Sequence, residues 1–165
     1  MRPTRQIVRE AQLNILRARQ LVEPQLPVLV PFAGSGVAGF DIHSVFDVPV
    51  VMLDTDPKLC RAIQQCALAW GIGDRVTVLR QNLRHFKAAS AYQGLVLDPP
   101  YSEGWTDNWQ WLAELAADTQ AGWIIYESEK IPPALPGFKA DSRRFGVSWL
   151  TVLVRQPPLD ASGSV

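Results

Sequence analysis

The hydrophobic residues of the chain form short apolar runs that alternate with segments of helical periodicity. Each run ends at a polar or glycine-rich cluster, as is typical of a buried strand that reaches the edge of a sheet. In the intervening segments apolar residues recur three or four positions apart, as on one face of a helix. The pattern predicts strands at 28–30, 48–53, 76–79, 95–97 and 123–126, and helices from Thr4 to before Pro24, from about Val37, at 58–70 and at 107–119.

The rhythm changes near the end of the chain. Residues 142–145 and 148–154 are apolar or alternating runs separated only by Gly146 and Val147, which predicts an antiparallel pair. Strands that alternate with helices build a mostly parallel sheet. We therefore predict an α/β, Rossmann-like fold with a mostly parallel seven-stranded sheet, an antiparallel C-terminal strand pair and helices on both faces. The prediction places one domain over 1–156, with 1–20 as an N-terminal helix or lid, and a flexible tail over 157–165.

Length and composition limit the class of protein. A chain of 165 residues suits one domain, and 47% hydrophobic residues with zero net charge are typical of a globular protein. No apolar run approaches the roughly 18 residues of a membrane span, and no hydrophobic stretch resembles a signal peptide. These features predict a cytoplasmic protein without a membrane partner. Cys60 and Cys66, like His43 and His85, lack the spacing of metal ligands, so no metal is expected.

Charge is unevenly distributed despite the neutral total. The first 20 residues carry five arginines and one acid, whereas residues 98–129 carry seven acids and no Lys or Arg. Arg2, Arg5 and Arg9 are candidates for phosphate contact, because a local basic face attracts nucleic acid even on a neutral protein. The alternative is that these arginines only solvate an exposed helix face.

A glycine turn follows the first predicted strand. The sequence Phe-Ala-Gly-Ser-Gly at 32–36 lets the backbone approach a ligand, because glycine lacks Cβ and tolerates positive φ. Asp54 ends the second strand 18 positions after Gly36, near the offset at which an acid accepts hydrogen bonds from ribose hydroxyls. The third glycine of a pyrophosphate fingerprint is absent, which favours a nucleoside ligand without phosphates. An ordinary tight turn is the alternative.

The fourth strand ends at Asp98-Pro99-Pro100-Tyr101. The two prolines fix φ and remove two backbone donors, which leaves a rigid turn with carbonyl acceptors beside the Asp98 carboxylate. A flat ring can stack on Tyr101 while its amino group donates hydrogen bonds to Asp98 and the Pro99 carbonyl. The turn is therefore predicted to hold an exocyclic amine for methyl transfer. The alternative is a proline-stiffened turn without a ligand.

Together these motifs resemble those of amino-methyltransferases that act on adenine or guanine. More specifically, the chain is similar to the RsmD family of bacterial enzymes, which methylate N2 of one guanine in small-subunit ribosomal RNA. The similarity covers nearly the whole sequence, and its opening and closing segments favour this family over DNA adenine methylases. These segments are Arg2-Pro3-Thr4, Val8-Arg9-Glu10 with Asn14, and Ile125-Tyr126-Glu127-Ser128-Glu129.

The resemblance implies a class I methyltransferase fold, S-adenosylmethionine as cofactor and S-adenosylhomocysteine as product. It implies that Asp54 holds the ribose hydroxyls, that Asn82 faces the adenine, and that Asp98 to Tyr101 receive the target base. The implied cofactor-binding residues are Phe32, Ala33, Gly34, Ser35, Gly36, Asp54, Thr55, Asn82, Leu83 and Asp98. The implied catalytic residues are Asp98, Pro99, Pro100 and Tyr101, and the implied substrate-binding residues are Tyr101, Arg2, Arg5 and Arg9.

The chain differs from the family pattern in two places. The family usually has a basic β-hairpin ahead of its Arg-Pro-Thr, which is not found here, and we expect this difference to affect docking onto a ribosomal particle. Arg5-Gln6-Ile7 replaces the family's Thr-Asp-Arg, which is expected to alter the N-terminal lid.

Three functions stay open at this point. The first is methylation of guanine N2 in small-subunit ribosomal RNA, with that RNA or a small-subunit particle as the partner of a monomeric enzyme. The second is methylation of adenine N6 in DNA or RNA. The third is a cofactor-binding module without activity of its own.

Overall fold

The computed structural model describes residues 4–159, which form helices, strands and two single 3-10 turns. The helices are α1 (Thr4–Ala18), α2 (Val37–Phe46), α3 (Pro57–Ala69) and α4 (Gln110–Thr119). The strands are β1 (Val28–Val30), β2 (Val50–Asp54), β3 (Val76–Arg80), β4 (Gly94–Leu97), β5 (Trp123–Ser128), β6 (Phe138–Phe145) and β7 (Ser148–Arg155). The 3-10 turns are Leu83–His85 and Tyr101–Glu103.

All seven strands belong to one sheet, in the order β3-β2-β1-β4-β5-β7-β6. The five strands from β3 to β5 are parallel, and β7 is antiparallel to both of its neighbours. Because β7 lies between them, β6 runs in the same direction as β5. The predicted Rossmann-like fold with an antiparallel C-terminal pair is confirmed.

Helices cover both faces of the sheet, as predicted. Successive residues of a strand point to opposite faces, so Val28 and Val30 of β1 join one core cluster while Leu29 joins the other. The first cluster contains buried residues of α1, α2 and α3, and the second contains those of α4. Within residues 4–159, no helix combines the length and apolar character needed to cross a bilayer.

Several element boundaries differ from the prediction, and two of the differences have identifiable reasons. The fourth helix begins at Gln110 rather than at 107. The side chain of Asn108 accepts a hydrogen bond from the Gln110 N–H at 2.9 Å, so it occupies a backbone donor in the first turn of the helix. Strand β6 begins at Phe138 rather than at 142, because it pairs with β7 along its whole length, from Phe138 opposite Arg155. Backbone pairing, and not burial, sets the length of this edge strand, since residues 139–141 are exposed.

Helix α1 is held in place by apolar packing and two ion pairs. Val8 and Leu16, on the inner face of this helix, are buried in the core. Arg9 Nε lies 3.2 Å from Asp41 Oδ2 on α2, and Arg19 Nη2 lies 2.7 Å from Asp141 Oδ2 on β6. Partly exposed pairs of this kind contribute little to stability, so burial supplies most of the attachment.

The close packing of Gly94 against Trp123 can be tested by mutation. These residues are opposite each other on β4 and β5, and a Cβ on Gly94 would lie 2.1 Å from Trp123 Cε2. We expect Gly94→Ala to lower the free energy of unfolding by about 2 kcal/mol or more, because the buried indole has no room to move. Urea denaturation measures this loss.

Gly122→Ala is the matched control, because a Cβ at this position would lie 3.4 Å from the nearest atom, the Gln93 carbonyl oxygen. It should cost much less than Gly94→Ala. Equal unfolding midpoints for the two variants would contradict the packing described.

Candidate functional site

The predicted site residues lie at the carboxyl ends of four neighbouring parallel strands. Leu29 of β1 is opposite Leu95 of β4, so Phe32 and Asp98, each three residues further on, leave adjacent strands at the same level. On the other side of β1, the Ala33 N–H donates a hydrogen bond to the Leu53 carbonyl of β2 at 2.9 Å. The glycine turn therefore lies between Asp54 and the Asp-Pro-Pro-Tyr turn.

The two glycines of the first turn have different requirements. Both have positive φ, 56° at Gly34 and 84° at Gly36, which is costly for other residues. A Cβ on Gly36 would lie 2.9 Å from Ile63 Cγ1, so close packing against α3 also requires glycine there. A Cβ on Gly34 would meet no atom within 4 Å, so this residue borders open space in which a ligand can lie.

Asp54 connects the glycine turn to β2. Its Oδ2 accepts a hydrogen bond from the Gly34 N–H, and its Oδ1 accepts one from the Asp56 N–H, both at 2.9 Å. The residue is half-buried. A carboxylate has about four acceptor positions, so Asp54 can still accept hydrogen bonds from the hydroxyls of a ligand while it fixes the turn.

The residues predicted for the adenine end of a cofactor lie beside Asp54. The Asn82 Oδ1 accepts a hydrogen bond from the Arg84 N–H at 2.9 Å, a contact that leaves the amide NH2 of Asn82 unused. Thr55 is exposed. The Leu83 side chain is buried in the second core cluster.

The Asp-Pro-Pro-Tyr turn is rigid and anchored at its far end. Pro99 is buried, and Pro100 leads at φ −64° and ψ 138° into the 3-10 turn that starts at Tyr101. The Tyr101 side chain is 51% exposed, while its hydroxyl is hydrogen-bonded to Ser148 Oγ at 2.8 Å. The ring therefore has a fixed position with much of its surface open to a planar ligand.

A small cleft joins this turn to the end of β5. The lining residues come from the turn, from the loop after it, from the last residue of β5 and from the residue that follows β5. They are Pro99, Pro100, Tyr101, Trp105, Thr106, Ser128 and Glu129. The cleft brings the Asp-Pro-Pro-Tyr turn together with Ser128 and Glu129, which belong to the closing segment of the family resemblance.

Two acidic groups at this edge have raised pKa values. Asp98 is open to solvent on one side, yet the surrounding protein desolvates its carboxyl group and raises its pKa, against a smaller lowering by Arg5. Burial, together with the charge of Asp98, raises the pKa of Glu127 to about 7, and Arg5 again opposes the shift. The site is thus rich in carboxylates and has one opposing cation from α1.

Tyr126 is a buried polar residue next to this acidic group. Its side chain is 0% exposed and its ring centroid lies 5.5 Å from that of Trp109. Burial, and then the charge of Asp98, raise its pKa, so the hydroxyl stays protonated. Within residues 4–159 this hydroxyl has no hydrogen-bond partner.

The sequence reasoning missed an aromatic cluster behind the site. Trp105 packs edge-on against Phe32 with centroids 4.9 Å apart, and against Trp111 at 5.0 Å. The Arg84 guanidinium lies 4.0 Å from the Trp105 ring centroid. Three tryptophans within residues 105–111 are a signal that was available in the sequence. The contact of Ser148 with Tyr101 had no such signal.

The two predicted substrate arginines that the structure describes, Arg5 and Arg9, make different contacts. Arg5 lies near Asp98 and Glu127, as its effect on their pKa values indicates. Arg9 is in an ion pair with Asp41, although its Nε does not meet the geometry of a hydrogen bond. Arg2 lies outside the described residues. In the described part of the chain, no group of three His, Cys, Asp or Glu residues has the arrangement of a metal site.

Comparison with known proteins identifies one family. The model of the family described as "Conserved hypothetical protein 95" matches residues 1–152. No protein among the curated sequences matches the chain significantly.

Several solved structures share the fold. A candidate methyltransferase from Escherichia coli, YhhF, is 19% identical with a TM-score of 0.76, over 91% of this chain and 86% of its own. A candidate methylase from Haemophilus influenzae, HI0767, is 20% identical with a TM-score of 0.75, over 94% and 100%. Magnesium protoporphyrin IX methyltransferase from Synechocystis, solved with bound S-adenosylmethionine, is 18% identical with a TM-score of 0.65, over 94% and 81%.

The raised pKa of Glu127 predicts a pH-dependent stability. At pH 5 the folded protein keeps this carboxyl group protonated, whereas above about pH 7 it must hold a desolvated charge that the unfolded chain exposes to water. Wild-type stability should therefore fall relative to Glu127→Gln as the pH rises from 5 to 8, by up to about 3 kcal/mol. Urea denaturation at several pH values measures the difference.

Glu129→Gln, which changes an exposed acid two residues away, is the control. The stability of Glu127→Gln relative to this control should rise from pH 5 to pH 8. A constant difference between the two variants would refute the electrostatic description of the site.

Proposed function

The chain belongs to the family described as conserved hypothetical protein 95, and on this premise we propose that it is an S-adenosylmethionine-dependent methyltransferase of nucleic-acid bases. The membership confirms the RsmD family predicted from the sequence motifs. The proposed substrate is N2 of guanine in small-subunit ribosomal RNA, which the protein would bind as a cytoplasmic monomer, free or within a small-subunit particle. One observation carries the proposal: the amine-binding turn of β4 and the glycine turn of β1 leave adjacent strands at the same level.

The residues at the glycine turn fit the proposed cofactor. The open space at Gly34 can take the methionine part, since no protein atom would contact a Cβ there within 4 Å. Asp54 has acceptor positions left for ribose hydroxyls, and Asn82 has an unused amide donor for the adenine. Acidic residues at the edge suit a ligand that carries positive charge and no phosphate. When bound, S-adenosylmethionine supplies an electrophilic methyl group on a sulfonium.

The Asp-Pro-Pro-Tyr turn would position the target base. Stacking on Tyr101 orients the ring, and the Asp98 carboxylate and Pro99 carbonyl accept the hydrogens of the amino group. These hydrogen bonds direct the nitrogen lone pair towards the glycine turn, so positioning and electrostatics provide most of the catalysis. Because its pKa is raised, Asp98 is also a better acceptor for the proton that the nitrogen loses after transfer.

Methylation of adenine N6 is the second candidate. The turn recognises an amino group on a planar ring and stacks it on Tyr101, a geometry that adenine satisfies as well. The two reactions give different methylated nucleosides, which makes them separable by product analysis.

The activity is tested with methyl-labelled cofactor and small-subunit ribosomal RNA, both free and in assembled subunits from cells that lack the gene. Mass spectrometry of the nucleosides should detect N2-methylguanosine. N6-methyladenosine would instead favour the second candidate. Cofactor binding by calorimetry without transfer to RNA or DNA would indicate a module that lacks its own activity.

We expect Asp98→Ala to reduce transfer by at least about 100-fold while the fold is preserved, because the variant loses the acceptor that orients the amine. Single-turnover rates with saturating cofactor measure the loss. Glu114→Ala, on the exposed surface of α4, is the control and should keep wild-type rates. Normal turnover in Asp98→Ala would exclude the role given to this carboxylate.

We expect Asp54→Ala to weaken cofactor binding by about 10-fold to 100-fold, as one charge-assisted hydrogen bond or two are lost. Calorimetry measures the dissociation constant. Asp56→Ala is the matched control, since Asp56 caps α3 through the Lys58 N–H at 2.8 Å. The control should lose about 1 kcal/mol of stability with little change in cofactor affinity. Equal cofactor affinities for the two variants would contradict the role of Asp54.

A further inference from the structure

The tip of the β6–β7 hairpin, residues 143–148, lies at the same edge of the sheet as the site. Strand β6 runs in the direction of β5, so it ends where the parallel strands end. The two strands are joined by Gly146 and Val147, with Gly146 at φ 62° and Phe145 opposite Ser148. The sheet topology therefore brings a C-terminal hairpin beside a turn that is more than 40 residues away in sequence.

This hairpin tip contacts the site directly. Ser148, the first residue of β7, is 8% exposed, and its hydroxyl is hydrogen-bonded to the Tyr101 hydroxyl at 2.8 Å. The tip also shares a strand register with the cleft: Arg144 is opposite Trp149, which is opposite Ser128 in the cleft lining. Two strand spacings separate Arg144 from Ser128, about 10 Å.

The hairpin tip carries two exposed arginines, Arg143 and Arg144. Among residues 4–159, neither has a carboxylate within salt-bridge distance, since the described ion pairs all involve other residues. Arg144 Nε donates a hydrogen bond to the Gly146 carbonyl at 3.0 Å, and its guanidinium lies 6.0 Å from the Trp149 ring centroid. These contacts hold Arg144 at the tip without neutralising its charge.

The charge at the site edge explains why such cations are needed. Residues 98–129 supply seven acids and no Lys or Arg, and they include Asp98, Glu127 and the cleft residue Glu129. An RNA strand that delivers a base to this cleft brings its phosphates close to those carboxylates, which repel them. The opposing cations must come from other segments of the chain, and the hairpin tip, which contacts Tyr101 through Ser148, supplies two.

We propose that the hairpin tip binds the RNA backbone next to the target nucleotide, with Arg143 and Arg144 contacting phosphates. This inference rests on the proposed function of the adjacent site. Strand alternation places the two arginines on opposite faces of the sheet, so they bracket its edge and contact different positions along a strand that crosses it. Val147, which is 78% exposed at the turn, adds an apolar surface between them.

The test compares the double variant Arg143→Ala, Arg144→Ala with Lys139→Ala. Lys139 is an exposed cation on the same strand, but it lies at the opposite end, across from Val154. Binding of free small-subunit ribosomal RNA is measured by filter binding between 50 and 300 mM salt. Loss of two phosphate contacts should flatten the slope of log affinity against log salt by about 1.4.

The kinetic readout is methyl transfer to the same RNA. The double variant should raise KM for RNA about 10-fold and change kcat less than about 2-fold, because the arginines contact the backbone and not the reacting amine. Its cofactor affinity, measured by calorimetry, should equal that of wild type, which also shows that the fold is intact. Lys139→Ala should match wild type in every measurement.

The outcomes distinguish this inference from the function on which it rests. If wild type methylates RNA while the double variant keeps the salt slope and KM of Lys139→Ala, the hairpin proposal is wrong and the methyltransferase proposal stands. If wild type binds the cofactor but neither binds nor methylates small-subunit RNA, whether free or in assembled subunits, both proposals fail.

Discussion

The parallel pairing of β1 with β2 on one side and β4 on the other is the constraint on which the site depends. Hydrogen bonding fixes the register of these strands, and register fixes which residues leave the sheet at the same level. Leu29 opposite Leu95 places Phe32 beside Asp98, while the Ala33–Leu53 hydrogen bond places Gly34 against Asp54. A shift of one residue in either pair would separate the glycine turn from the Asp-Pro-Pro-Tyr turn.

Asp54 has a structural role in addition to the role in cofactor binding that we propose for it. Asp54 accepts two backbone N–H groups, and these hold the glycine turn in a conformation with positive φ. The same carboxylate is hydrogen-bonded to Gly34, which borders open space. An uncharged replacement would therefore alter the shape of the turn as well as remove an acceptor, so affinity and stability have to be measured separately.

Electrostatics divides the edge into two regions. The centre, with Asp54, Asp98 and Glu127, suits a cationic nucleoside and an amine, and burial there keeps the pKa of Glu127 near 7. The rim has cations, with Arg5 on α1 and the two arginines of the hairpin tip. Such an arrangement matches a proposed substrate whose base enters the centre while its phosphates stay at the rim.

Local patterns were enough to predict the strand–helix alternation, the fold class and the glycine and Asp-Pro-Pro-Tyr turns, because burial periodicity and the chemistry of Gly and Pro act over a few residues. The contacts between segments far apart in sequence became known from the folded chain alone: Ser148 on Tyr101, Arg5 near Glu127, and Arg9 paired with Asp41. The length of β6 was decided in the same way, since pairing with β7 extends the strand through exposed residues. Sheet order and helix docking set these neighbours, and no local pattern records them.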